Sequence, residues 1–143
     1  MQSKKDVMQI EYKINEPIDV QSFYDLLINS TLGERRPIND LACLQGMLSN
    51  SNLIVSAWDA EKLVGLARSI TDFHYACYLS DLAVDQAYQH QGIGKQLQNL
   101  TQAQLNHRCK LILISAPAAN EYYEKIGFTH NPRCWVLERT TTL

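Results

Sequence analysis

The chain has 143 residues, 45% of them hydrophobic, with 13 basic and 15 acidic side chains and a formal charge of −2. That size and apolar content suit one globular domain with its own core, so residues 1–143 are read as a single domain. The near-neutral balance, with no basic stripe, argues against a nucleic-acid partner; no apolar run reaches the roughly 18–20 residues of a membrane span, and no apolar signal core follows Lys4 and Lys5, so no membrane partner and a cytoplasmic location are expected.

Met8, Ile10, Tyr12 and Ile14 alternate with polar residues, the period of a half-buried strand. Pro17 and Asp19 mark a helix entry, and Val20, Phe23, Tyr24, Leu27 and Ile28 then recur at helical spacing up to Asn29 and Ser30. Residues 31–37, Thr-Leu-Gly-Glu-Arg-Arg-Pro, read as a loop, and loops often carry substrate contacts; Glu34 and Arg35 are the candidates. A second helix is expected over about 39–48, capped by Asn39 or Asp40.

The apolar runs 53–58 and 63–70 flank a turn at 59–62, and 75–84 continues the meander as a third strand. Their connections are too short for parallel crossovers, so antiparallel pairing is expected. Ile93, Leu97, Leu100 and Ala103 mark an amphipathic helix, and the unbroken apolar run of 110–114 reads as a central strand parallel to 75–84. Pro117 opens a short helix over 118–125, Gly127 follows its end, and 128–137 completes the chain as a last strand or hairpin with a bend at Asn131-Pro132.

Between the strand ending near Val84 and the helix starting near Ile93 lies Gln89-His90-Gln91-Gly92-Ile93-Gly94-Lys95. Such a junction lines up free backbone N–H groups at the positive end of a helix, where a phosphate binds readily. A Rossmann loop would need glycine where Leu97 stands, and a Walker loop a Gly-Lys-Ser/Thr that is absent. Cys43, Cys77, Cys109 and Cys134 are far apart with no Cys-x-x-Cys pair, so no metal site is expected and the four read as reduced, mostly core thiols. Trp58 and Trp135 lie in predicted strands and read as core or interface aromatics.

Gln89-His90-Gln91-Gly92-Ile93-Gly94 resembles the Gln/Arg-x-x-Gly-x-Gly/Ala signature of the GCN5-related N-acetyltransferase (GNAT) superfamily, and Tyr123-Glu124-Lys125-Ile126-Gly127-Phe128 is similar to its Tyr-x-x-x-Gly-Phe segment. The element order agrees over most of residues 8–137. The resemblance implies an α/β GNAT fold: a central mixed, mostly antiparallel sheet flanked by about four helices.

It further implies transfer of an acetyl group from acetyl-coenzyme A to a primary amine, by direct attack in a ternary complex. The acceptor is unknown, with a small molecule favoured over protein lysine. Amides of the loop, with Gln89, Gln91, Gly92, Ile93, Gly94 and Lys95, would hold the pyrophosphate, and Leu82 and Val84 would pair with the pantetheine arm as with an added strand. Tyr123 would protonate the leaving thiolate. Asp81 is the first candidate base and Glu34 the second.

Two positions depart from the family pattern: Tyr78 stands where some members carry a strand glutamate, and Ala116 where many have asparagine, with Asn120 nearby. The competing expectation is a non-catalytic acyl-coenzyme A-binding or interaction module of the same fold. A homodimer through the last strands is a further expectation brought by the resemblance.

Overall fold

The computed structural model describes residues 9–142. The polar start of the chain and Met8 of the first predicted strand lie outside them. The chain divides after Leu113 into two compact units.

In the first unit, β1 (Ile10–Ile14), β2 (Leu53–Asp59), β3 (Lys62–Thr71), β4 (Ala76–Val84) and β5 (Lys110–Ile112) form one sheet in sequence order. The first three pairings are antiparallel and β4–β5 is parallel, as expected for a meander followed by a helical crossover. Two helices, α1 (Val20–Asn29) and α2 (Leu41–Ser49), start where the sequence places caps. Asp19 accepts from the Ser22 amide at 2.7 Å and Asp40 from the Cys43 amide at 3.0 Å, and the loss of either cap would cost about 1 kcal/mol.

These helices pack Phe23, Leu26, Leu27, Leu44 and Leu48 on one face of the sheet, against Leu63, Leu66 and Ala83. The other face is covered by α3 (Ile93–Ala103), whose Ile93 and Leu97 meet Leu53, Val55, Ala57, Val64, Ala67, Cys77 and Leu79. Each fully buried leucine or phenylalanine contributes about 1.5–3 kcal/mol, so the two faces together anchor the sheet. Gly65 lets α3 sit close: a Cβ there would come within 3.1 Å of both Ile93 and Leu97.

The β3–β4 ladder passes from Arg68–Asp81 to Ser69–Leu79, so Ser80 is an extra, bulged residue. The bulge changes which way the strand faces. Cys77 and Leu79 pack toward α3, and strict alternation would send Asp81 and Ala83 there as well. Instead Ala83 joins the α1–α2 core while Leu82 and Val84 pack on the α3 side.

The second unit holds a 3-10 turn (Pro117–Ala119) and α4 (Asn120–Lys125). Several expectations are corrected here and at the sheet edge. Residues 128–137 form no strand: Asn131 accepts from the Arg133 amide at 2.9 Å in a local turn, and Trp135 is 89% exposed rather than packed. A strand needs a ladder partner for its amides, and apolar patterning alone supplies none. Among the described residues β5 is accordingly the sheet edge and not a central strand, with Ile112 and Ile114 exposed. Of the cysteines, all free, Cys77 is buried and Cys109 half-buried, but Cys43 and Cys134 are exposed. Residues 32–35 of the expected loop wind into a 3-10 turn.

Candidate functional site

The second half of β4 and the loop after it carry the predicted coenzyme contacts. β5 pairs only with Ala76, Cys77 and Tyr78. From Leu79 onward the outer edge of β4 has no strand partner among the described residues. The Asp85 amide donates to the Val64 carbonyl at 2.9 Å, so alternation turns the peptide groups of Ala83 toward β3 and those of Leu82 and Val84 outward. This edge can take an added strand.

Past β4 the chain turns through a 3-10 segment (Gln86–Tyr88) that is tied down at several points. The Asp85 carboxylate accepts from the Ala87 amide at 2.8 Å and pairs with Lys62 at 3.4 Å, while the Tyr88 hydroxyl donates to Asp59. Gln89 donates its side-chain amide to the Val84 carbonyl at 3.0 Å. Its side chain therefore fastens the loop to β4 and leaves the Val84 N–H open.

His90 and Gly92 both adopt left-handed backbone, with φ of 65° and 84°. Gly92 is the N-cap of α3 and offers no side-chain cap. The first-turn amides at Ile93, Gly94 and Lys95 have no residue four positions back in the helix to donate to. A Cβ on Gly92 would meet nothing within 4 Å, and one on Gly94 only a Val84 methyl at 3.7 Å. The space over the two glycines is open to a ligand, and the donors beneath it suit an anion such as a pyrophosphate. The Ile93 side chain is buried in the core, so its contribution there is its amide; Gln91 and Lys95 are exposed.

Asp81 lies elsewhere in chemical terms. Its side chain is 0% exposed, Oδ1 accepts from Arg36 Nε at 2.6 Å and Oδ2 from Arg68 Nε at 2.5 Å. Arg36 also donates to the Ser80 carbonyl at 2.7 Å, and Arg68 to the Ser80 hydroxyl at 2.9 Å. A general base must reach the proton it takes. Asp81 has neither exposure nor an unengaged oxygen, and the geometry argues against that role. Sequence reading missed Arg36 and Arg68; the only signal was a cationic pair in the loop and an arginine in an otherwise apolar strand, where a buried charge demands a partner. Glu34 and Arg35 are exposed.

In the second unit the tyrosine motif has a physical reading. Gly127 has φ of 110°, its amide donates to the Glu124 carbonyl at 3.2 Å, and the Phe128 amide donates to the Tyr123 carbonyl at 3.0 Å. These two bonds form a Schellman motif, with glycine at the left-handed position and an apolar contact across it. That contact is the edge-on pair of Tyr123 and Phe128, 5.4 Å between centroids. Tyr122 also meets Tyr123 edge-on at 5.1 Å and is 40% exposed. Burial raises the Tyr123 phenol above its ordinary value, so it stays protonated at neutral pH. Asn120 accepts from the Ser115 hydroxyl at 3.0 Å.

Among the described residues no three His, Cys, Asp or Glu side chains are grouped as metal ligands, and no helix is long and apolar enough to cross a membrane. Residues 33–133 match a family model described as an acetyltransferase (GNAT) domain. The chain is 30% identical over 141 residues to a Glycine max protein named histone acetyltransferase TAP1, covering 88% of this chain and 58% of that one. It thus spans little more than half the length of that relative.

Two solved structures show the same fold. A GNAT-family acetyltransferase of Streptococcus pneumoniae aligns with a TM-score of 0.63 at 22% identity, over 91% of this chain and 99% of the other. An aminoglycoside N-acetyltransferase in complex with CoA aligns with a TM-score of 0.69 at 16% identity, over 92% and 95%.

Proposed function

Since the chain belongs to the GNAT family of acetyltransferases, we propose that it transfers an acetyl group from acetyl-coenzyme A to a primary amine, as one domain spanning residues 1–143. The observation that carries this reading is the open outer edge of β4 at Leu82 and Val84, running into the uncapped N-terminus of α3. One element offers strand amides to an amide-bearing arm and the next offers helix amides to a phosphate, the two chemistries that coenzyme A joins in one molecule.

The outward N–H groups of Leu82 and Val84 would pair with the pantetheine arm. The amides of Gly92, Ile93, Gly94 and Lys95, with Gln91 beside them, would hold the pyrophosphate, and Lys95 would add a positive charge. Gln89 would act through the Val84 carbonyl, fixing the loop. As the amine attacks the thioester carbon, the new C–N bond forms and the C–S bond breaks. Tyr123 would give its phenolic proton to the departing thiolate. Burial raises the phenol and keeps it protonated at neutral pH, so it holds a proton to give, and the transfer then depends on hydrogen-bond reach of the sulfur.

Deprotonation of the amine is not assigned to Asp81, whose carboxylate is engaged by two arginines. Glu34, exposed in the turn between α1 and α2, is the carboxylate we propose for it, with Arg35 beside it as an acceptor contact. A small amine is the proposed acceptor. The identity to a protein named as a histone acetyltransferase favours protein lysine as the second reading.

The test is release of free thiol from acetyl-coenzyme A across polyamines, aminoglycosides, amino acids and lysine peptides. Tyr123→Phe should lower kcat by roughly 10²–10⁴-fold while leaving coenzyme A affinity unchanged. Activity on peptides alone would select the second reading. Binding of coenzyme A with no acetylation of any acceptor, and no effect of Tyr123→Phe, would replace the enzyme by a binding module.

A further inference from the structure

We propose that Arg36 is a positioning residue that fastens the turn carrying Glu34 and Arg35 to the bulge of β4, and so steadies the edge whose outward amides would receive acetyl-coenzyme A. The proposal rests on the acetyl-coenzyme A reading above for its functional consequence, and on geometry alone for the clamp.

A bulge leaves one residue out of the ladder, and Ser80 is that residue. Its carbonyl and hydroxyl, and the carboxylate of Asp81 beside it, are nevertheless each held by a guanidinium. From one side Arg36 places Nε 2.6 Å from Asp81 Oδ1 and Nη2 2.7 Å from the Ser80 carbonyl oxygen. From the other, Arg68 places Nε 2.5 Å from Asp81 Oδ2 and Nη2 2.9 Å from the Ser80 hydroxyl. Two planar forks therefore grip consecutive residues of one strand, and rotation of the bulge would break several charge-assisted bonds at once. Leu82 and Val84 follow directly: the ladder with β3 turns their amides outward, and the clamp holds the bulged end of that stretch.

The two arginines differ in what they attach. Arg68 belongs to β3 and reaches the Ser51 hydroxyl at 2.9 Å, in the connection from α2 to β2, and the Met47 carbonyl of α2 at 3.4 Å. Arg36 comes from 45 residues away in sequence. Its amide donates to the Gly33 carbonyl at 3.2 Å, closing the 3-10 turn, and its Nη1 to the Arg35 carbonyl at 2.8 Å. One side chain thus joins the proposed acceptor turn to the proposed donor edge. Its side chain is 22% exposed, against 5% for Arg68, and replacing it leaves Asp81 paired to Arg68 through Oδ2. A lysine could not reproduce the grip, because its ammonium is a point donor and not a fork.

The experiment compares the unsubstituted protein with Arg36→Lys and Arg36→Gln by amide hydrogen exchange, without ligand, and by titration with coenzyme A. Both substitutions should speed exchange about tenfold or more at residues 33–38 and 79–83 while the amides of α3 and β2 keep their rates. Coenzyme A should bind about tenfold more weakly to both, because the receiving edge is no longer fixed. Acceleration spread evenly over the chain, unchanged exchange at the two segments, full rescue by Arg36→Lys, or local acceleration with unchanged coenzyme A affinity would each overturn the proposal. If the unsubstituted protein bound no coenzyme A, the acetyltransferase reading would fall, and the exchange rates would still decide whether Arg36 clamps the turn to the bulge.

Discussion

Two places a dozen residues apart treat their polar groups in opposite ways. At Ser80–Asp81 carbonyl, hydroxyl and both carboxylate oxygens are all partnered by arginines, and the carboxylate is out of reach of water. At Gly92–Lys95 the first-turn amides of α3 have neither a helical partner nor a side-chain cap, and the space above them is open. A group that is already satisfied holds the fold together. A group left unsatisfied at an open surface is available to a ligand. Residue type alone would rank Asp81 above a glycine as a site of chemistry, and the pattern of partners reverses that order.

The largest expected effect breaks the first region. Asp81→Asn leaves Arg36 and Arg68 without their counter-ion in a buried setting, and such a loss costs roughly 3–5 kcal/mol. Urea unfolding should show it as a lower midpoint with little change in slope. Activity measured well below that midpoint should fall mainly through affinity for coenzyme A. A variant of unchanged stability whose kcat had lost its acid limb would restore Asp81 as the base.

Next come the glycines, where stability and affinity should separate. Gly92→Ala forces a Cβ into a left-handed backbone at φ of 84° and should lower stability by about 1–2 kcal/mol. Gly94 has no such constraint: its added Cβ meets a Val84 methyl at an ordinary 3.7 Å, inside a helix that favours alanine. Gly94→Ala should therefore leave stability unchanged or raise it by up to about 1 kcal/mol. On the proposed reading it should also weaken coenzyme A by about tenfold, by placing a methyl where the phosphates would lie. Thermal melting and coenzyme A titration of the two variants check both halves. Equal affinity losses without any stability difference would mean that the two glycines shape the turn in the same way.

What could be read in the sequence follows the range of the interactions involved. Helix caps at Asp19 and Asp40 and the Gly-rich junction are built from residues within four or five positions of each other, and the meander shows in sequence through its short turns, such as the one that brings Asp59 opposite Lys62. The Schellman motif that spaces Tyr123, Gly127 and Phe128 is equally local. The arginine clamp joins residues 13 and 45 positions apart, and nothing near Asp81 in sequence announces it. Nor could the edge position of β5 be read from Leu111-Ile112-Leu113-Ile114, because an apolar run records a tendency to be covered and not the presence of a neighbour. The strand expected at 128–137 fails for the same reason.

The smallest effect lies at the other end of β4, where a carboxylate is as well supplied with donors as Asp81 but stands in water. Asp72 accepts from the amides of His74, Tyr75 and Ala76 at 2.9, 2.8 and 3.1 Å, closing the turn between β3 and β4. Those amides, with Tyr75 first, hold its pKa down to about 2 from an ordinary 3.8. The folded chain therefore binds the proton less readily than the unfolded one. Stability from this turn is complete above pH 3.8 and is lost as the pH falls toward 2. Asp19, lowered mainly by the Ser22 amide, titrates in the same sense, so the difference between the unsubstituted protein and Asp72→Asn isolates the turn. Melting temperature should fall less steeply with acid in Asp72→Asn across that window. The two proteins should keep a constant offset at higher pH. An identical acid slope would show that donors supplied in full solvent exposure add nothing measurable, and that burial, more than the number of bonds, sets Asp81 apart.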